Sequence, residues 1–184
     1  MRDSGLDTRA LRNALGQYTT GVAIITTRTP DGPHIGLTVN SFTSVSLDPP
    51  LVLFCLANRS SLLAAFEQAA HFAINVLAKG QQELSNRFAR PSSNSWEGVK
   101  HQIGESGCAL LTGVLGTLEC ARRAAYPGGD HLILVGEVVR FAVTAPAGDP
   151  LVFYQGSYGA FTRDQSGTNA APDGTLSDFV SYWG

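Results

Sequence analysis

Two short stretches of the chain carry side chains that could do chemistry together. Asn58-Arg59-Ser60-Ser61 sets an amide and two hydroxyls directly ahead of the helix-like run LLAAFEQAA. At a helix start, free backbone N–H groups and the helix dipole favour an anion such as a phosphate. Simple N-capping uses the same residues. Thr38-Val39-Asn40-Ser41-Phe42-Thr43-Ser44 crowds small hydroxyl and amide side chains into a segment that reads as strand. Strand interiors favour bulky apolar residues, so this polar stretch either has a partner or is an ordinary edge strand. His34, His71, His101 and His131 are widely separated and lack cysteines or carboxylates at ligand spacing, so no metal site is expected. HExxH, GxSxG and GxxxxGKS are absent, and no GxGxxG joins a strand to a helix, which removes a Rossmann nucleotide site.

These residues need elements to hold them. Asp7 to Tyr18 places Leu11, Leu15 and Tyr18 at helical spacing, with Asp7 or Thr8 as cap. GVAIITTR is β-branched and alternating, and Thr29-Pro30-Asp31-Gly32-Pro33 is a turn leading into HIGLTVNSFTSVSL, which predicts a hairpin. Asp48-Pro49-Pro50 breaks the chain, and LVLFCLA reads as a strand buried on both faces. The helix after Ser61 turns Leu62, Leu63 and Phe66 inward, and HFAINVL is another strand. Lys79 to Arg90 is helical until Pro91 ends it, and residues 91 to 107 form a long polar loop containing Trp96. Cys108 to Val143 predicts two long strand-like runs joined at Tyr126-Pro127-Gly128-Gly129-Asp130. LVFYQGSYGAF closes the core as a short strand and a glycine-hinged loop. Residues 163 to 184 read as a polar tail that docks through Phe179, Tyr182 and Trp183.

Many short strands and few helices predict a mainly β domain, a closed barrel with accessory helices. The 184 residues are 43% hydrophobic and 15% charged, enough for one core, and 20 Gly with 9 Pro supply the turns. A net charge of -2 offers no field to gather phosphates, so neither nucleic acid nor an anionic membrane is expected as a partner. The longest apolar run, Leu51 to Ala57, is far shorter than the ~20 residues of a spanning helix. Cys55, Cys108 and Cys120 form no CxxC pair and sit in apolar surroundings, as buried thiols of a reducing compartment do. A cytoplasmic location follows as the expectation.

An ordered set of motifs resembles one family. Thr20 to Thr27, Gly36 to Ser46 with Pro49-Pro50-Leu51, Asn58 with Ser60 and Ser61, Phe72 to Leu77, Leu84-Ser85-Asn86-Arg87-Phe88-Ala89, Gly129-Asp130-His131 and Tyr154 to Tyr158 occur in the order seen in split-barrel flavin:NAD(P)H reductases. These are the reductase components of two-component flavin-dependent monooxygenases. The likeness covers roughly residues 10 to 162, taken as one domain from residue 1 to 162, and leaves out the tail.

The resemblance implies a split β-barrel of Greek-key type that binds FMN or FAD without a covalent bond and accepts a hydride from NADH or NADPH. It implies that Thr38, Val39, Asn40, Ser41 and Ser44 line the flavin, and that Asn58, Ser60 and Ser61 lie at its phosphate. Arg87 and Phe88 close on the ligand; a solvated helix face for Arg87 and a core contact for Phe88 are the alternatives. His131, Tyr154 and Tyr158 take the nicotinamide from opposite walls. His131 there orients the ring or supplies the proton taken up with the hydride, and orientation is favoured because the cofactors supply the hydride chemistry themselves. A homodimer and a partner monooxygenase are implied in the same way. Two other functions stay open: a tightly held flavin passing electrons to another acceptor, and a flavin- or haem-binding split barrel without turnover.

Overall fold

The computed structural model describes residues 5–29, 32–92, 95–145 and 148–162. The expected tail, with Phe179, Tyr182 and Trp183, and Pro30-Asp31 of the first expected turn lie outside the described residues. The chain opens with α1 (Thr8–Leu15), β1 (Thr20–Gly21), β2 (Ala23–Arg28), β3 (His34–Val39), β4 (Thr43–Leu47) and β5 (Pro50–Ala57). There follow α2 (Leu63–Gln68), β6 (His71–Val76), a 3-10 turn (Lys79–Gln81) and α3 (Gln82–Ala89). Then come β7 (His101–Ile103), β8 (Ala109–Leu111), β9 (Gly116–Gly128), β10 (His131–Val143), β11 (Leu151–Tyr154) and β12 (Ser157–Ala160).

Seven strands form one sheet in the order β3-β2-β6-β9-β10-β5-β4, antiparallel at every pairing. Its two edges, β3 and β4, are neighbours in sequence, so the sheet curls round until they meet across the bend at residues 40–42. Among the described residues no ladder joins the edges, and the barrel is split there. The interior is packed by Phe54, Phe66 and Phe72, whose rings meet edge to face at 5.8 and 5.2 Å. Burying each contributes about 1.5–3 kcal/mol.

Several local expectations change in the folded chain. β2 is buried along both faces, Ala23 and Ile25 inside the barrel, Ile24 and the preceding Val22 under an outer layer with Phe88, Leu111 and Leu151. Thr26 and Thr27 tolerate burial because their hydroxyls donate to the carbonyls of Ala109 and His71, each at 2.6 Å. Buried Asn75 joins the same layer, donating to Ile24 O and accepting from Leu111 N at 2.7 Å. Conversely β5 is fully buried on one face only, at Val52, Phe54 and Leu56, while Leu53 and Cys55 on the other face are half-buried. The long loop expected over residues 91 to 107 contains β7, paired with β8. The β9–β10 turn narrows to Gly129-Asp130, with Gly129 at φ +73°, a conformation glycine adopts at little cost. Asp7 caps α1 by accepting from Arg9 N at 2.8 Å, yet Leu11, Leu15 and Tyr18 all face solvent.

Candidate functional site

At the split in the barrel lies a groove of about 500 Å³. Leu37 to Ser41 form one side, Cys55 to Ala57 another, and Arg59, Ser60, Ser61, Phe88 and His131 complete the wall. Most of the residues singled out from the sequence therefore converge: Thr38, Val39, Asn40, Ser41, Ser60, Ser61, Phe88 and His131. Their separation in sequence is bridged by pairing, since His131 opens β10 directly opposite Ala57, two residues before Arg59.

The polar stretch after β3 finds its partners at the seam. Ser41 Oγ accepts from Cys55 N at 3.0 Å and donates to Cys55 O at 3.2 Å, so a side chain continues the strand pairing where β4 has not yet begun. Thr38 Oγ1 donates to Ser85 O at 2.7 Å, and the Ser85 and Tyr158 hydroxyls lie 2.8 Å apart. The Asn40 amide is exposed at the end of the groove. Burial pushes the Cys55 thiol up, so it stays protonated.

At the other end the anion-binding character comes from side chains. α2 has six residues and begins only at Leu63, so a helix dipole contributes little here. Ser60 Oγ instead accepts from Leu62 N at 3.3 Å within the preceding turn, leaving Ser61 and Arg59 exposed to the groove. Asn58 is turned away: its Nδ2 donates to Gly129 O at 3.0 Å and its N–H to Asp130 O at 2.9 Å, which fixes the hairpin that carries His131. His131 Nδ1 lies 2.7 Å from Asp130 Oδ1. That hydrogen bond, then the charge of His131 and more weakly that of Arg59, hold the Asp130 carboxyl below the usual carboxylate range. With Nδ1 bound to the carboxylate, Nε2 is the free nitrogen of the ring.

Four other expected site residues lie outside this groove. Ser44 is exposed on β4, paired with Val52. Arg87 is exposed on α3 and donates through Nη1 to Glu97 O at 2.7 Å, so it ties down the segment after Pro91. Tyr154 donates to Gln17 Oε1 at 3.1 Å, and Tyr158 packs on Phe153. Both tyrosines belong to the separate sheet β1-β11-β12, so within one chain they do not form a wall opposite His131. Phe88 satisfies both expectations: it is fully buried and also lines the groove. Arg59 and Cys55 are among the lining residues that sequence reasoning did not assign. Arg59 stood between two assigned residues, whereas Cys55 is placed only by its pairing with Ser41.

Two further cavities adjoin the groove. One of about 580 Å³ runs along residues 33–36 beside Trp96 and His101, and shares Pro91 with the groove. The other, about 830 Å³, lies against α1 and shares Asn40. Among the described residues no cluster of three or more His, Cys, Asp or Glu is placed to hold a metal, and no helix is long and apolar enough to cross a membrane.

Known proteins match this arrangement over most of the chain. The FMN reductase (NADH) of Agrobacterium fabrum is 50% identical over 159 residues, which are 86% of this chain and 89% of that protein. The reductase component of the flavin-dependent trigonelline monooxygenase of Acinetobacter baylyi is 42% identical over 88% of this chain. This chain spans about half the length of that relative, 51%, and 54% of a Rhizobium meliloti relative. Among solved structures, the NADH:FAD oxidoreductase of Streptomyces globisporus, in complex with NAD and FAD fragments, superposes with a TM-score of 0.81. It is 36% identical, covering 86% of this chain and 95% of that one. Residues 15–162 match the family described as the flavin reductase like domain, and the chain belongs to that family.

Proposed function

We propose that this chain is an NAD(P)H:flavin oxidoreductase that reduces FMN or FAD and hands the reduced flavin to a separate flavin-dependent monooxygenase. The observation that carries the reading is the groove itself, which gathers Thr38, Asn40, Ser41, Ser60, Ser61 and His131 from distant parts of a flavin reductase chain. Its donors suit the ligand. Arg59, Ser60 and Ser61 offer a cation and two hydroxyls to a phosphate, while Leu37, Leu56 and Phe88 offer apolar surface to a flat ring. Asn58 supports the phosphate end indirectly, through the hairpin it holds.

A bound flavin supplies an acceptor for the hydride of the reduced nicotinamide. The protein positions the two rings and excludes competing geometry. His131 orients the nicotinamide, with Asp130 holding its Nδ1 and Nε2 left to meet the ligand. Thr38 and Ser41 have their hydroxyls committed to Ser85 and Cys55, so they shape the groove and leave Asn40 to contact the ligand.

The enzyme acts as a homodimer. Its support is α1, which buries none of its residues and leaves Leu15 67% exposed, and Tyr18 just after it, 80% exposed. The reductase domain runs up to residue 162, and the three free cysteines suit the cytoplasm.

Mixing the purified protein with NADH or NADPH and added FMN or FAD tests this reading. Oxidation of the nicotinamide that depends on added flavin is expected. Flavin binding with no oxidation of either nicotinamide would show a binding protein without turnover.

A further inference from the structure

We propose that the aromatic cavity formed around His34, Trp96 and His101 is a second base-binding site, which takes the adenine ring of FAD when its flavin half occupies the neighbouring groove. The inference rests on the flavin reading of that groove.

The two cavities are laid out as consecutive lengths of one chain segment. Residues 33–36 line the aromatic cavity and residues 37–41 the groove, with Pro91 common to both. Ser61 lines the groove and the next residue, Leu62, lines the aromatic cavity. The seam between them therefore lies beside Arg59, Ser60 and Ser61, where the phosphate of a flavin mononucleotide is expected. A nucleotide continuing from that phosphate enters the aromatic cavity.

The walls suit a purine. Trp96 and His101 stand 5.1 Å apart at 67°, and His34 lies 6.0 Å from Trp96 and 5.9 Å from His101. His101 meets both Trp96 and His34 edge to face, and such an aromatic wall is suited to a further aromatic ring. His34 Nδ1 is buried and has no hydrogen-bond partner in the described protein, a state that buried polar atoms rarely occupy. Burial, with the charges of His101 and Arg28, holds the His34 pKa below its ordinary value, so its ring is neutral near pH 7. A neutral imidazole and the donors and acceptors on the rim of adenine are matched partners. His101 Nδ1 is 2.9 Å from Val99 O, which orients the ring and leaves Nε2 free. About 580 Å³ falls within the usual range of small-ligand pockets, roughly 300–1,000 Å³.

The test is a titration of flavin-free protein with riboflavin, FMN and FAD, followed by flavin fluorescence, together with the KM for NADH. His101→Ala removes an exposed ring and should weaken FAD at least about fivefold while FMN is unchanged. Trp96→Leu keeps apolar volume over Phe88 and should give the same pattern. Equal weakening of FMN and FAD, or no change in either, overturns the proposal. So does a raised KM for NADH with FAD affinity intact, which would assign the cavity to the adenine of the nicotinamide dinucleotide. Failure of the unmodified protein to bind FMN at all strikes the flavin reading of the groove instead.

Discussion

Residues 33–36 and residues 37–41 belong to one continuous length of chain, yet the cavities they line differ in kind. Along the first, the neighbours are rings: Trp96, His101 and His34 itself. Along the second they are hydroxyls, a guanidinium and the ends of strands. A shared strand can thus serve two chemistries, because what faces it is set by elements that arrive from elsewhere. α2 and the turn before it bring Arg59 to Ser61, while the segment after α3 brings Trp96.

The hinge of this comparison is Gly36. A Cβ there would stand 3.0 Å from the Phe88 ring and 3.4 Å from Trp96 Cζ2. Gly36→Leu should therefore displace a wall of each cavity at once. We expect a loss of about 1–3 kcal/mol in urea unfolding and weaker binding of both FMN and FAD. Retained FMN binding would show that the groove does not depend on Phe88.

Arg59→Ala separates the cavities by charge. It should weaken FMN roughly tenfold, the scale of one charge-assisted hydrogen bond, and leave riboflavin, which lacks the phosphate, almost untouched. Because Arg59 is exposed, the unfolding midpoint should hardly move. Equal weakening of both flavins would place the phosphate elsewhere.

The smallest effect concerns pH and the aromatic side. The folded-state pKa of His34 lies below the ordinary 6.5, first through burial and then through His101 and Arg28. Its contribution to stability is thus complete above the unfolded value and is lost as pH falls through the folded one. The unfolding midpoint should drop on acidification from pH 6.5, and His34→Leu should flatten that part of the profile. An unchanged profile in the variant would show that His34 does not carry the dependence.

Much of the groove was legible as two polar stretches, at 38–41 and at Ser60-Ser61, to which the resemblance assigned a flavin and added Phe88. The resemblance then joined His131 to them. Arg87 was less legible, since helical spacing puts it next to Phe88 without saying which way it turns, and in the fold it holds Glu97. Tyr154 and Tyr158 were placed by order along the chain, whereas pairing with β1 carries them to a different sheet.

The sequence by itself determined the features with local causes. Asp7 is positioned to cap a helix, Gly129 to make a tight turn, and the β-branched runs to form strands. Tertiary structure decided where polar side chains spend their hydrogen bonds. Thr26 reaches Ala109 across 83 positions, Ser85 reaches Tyr158 across 73 and Asn58 reaches Gly129 across 71. A hydroxyl or amide has no local preference among such distant carbonyls and hydroxyls. Only the register of the folded sheets brings one within 3 Å, and that register also turns Ser41 onto Cys55 at the mouth of the groove.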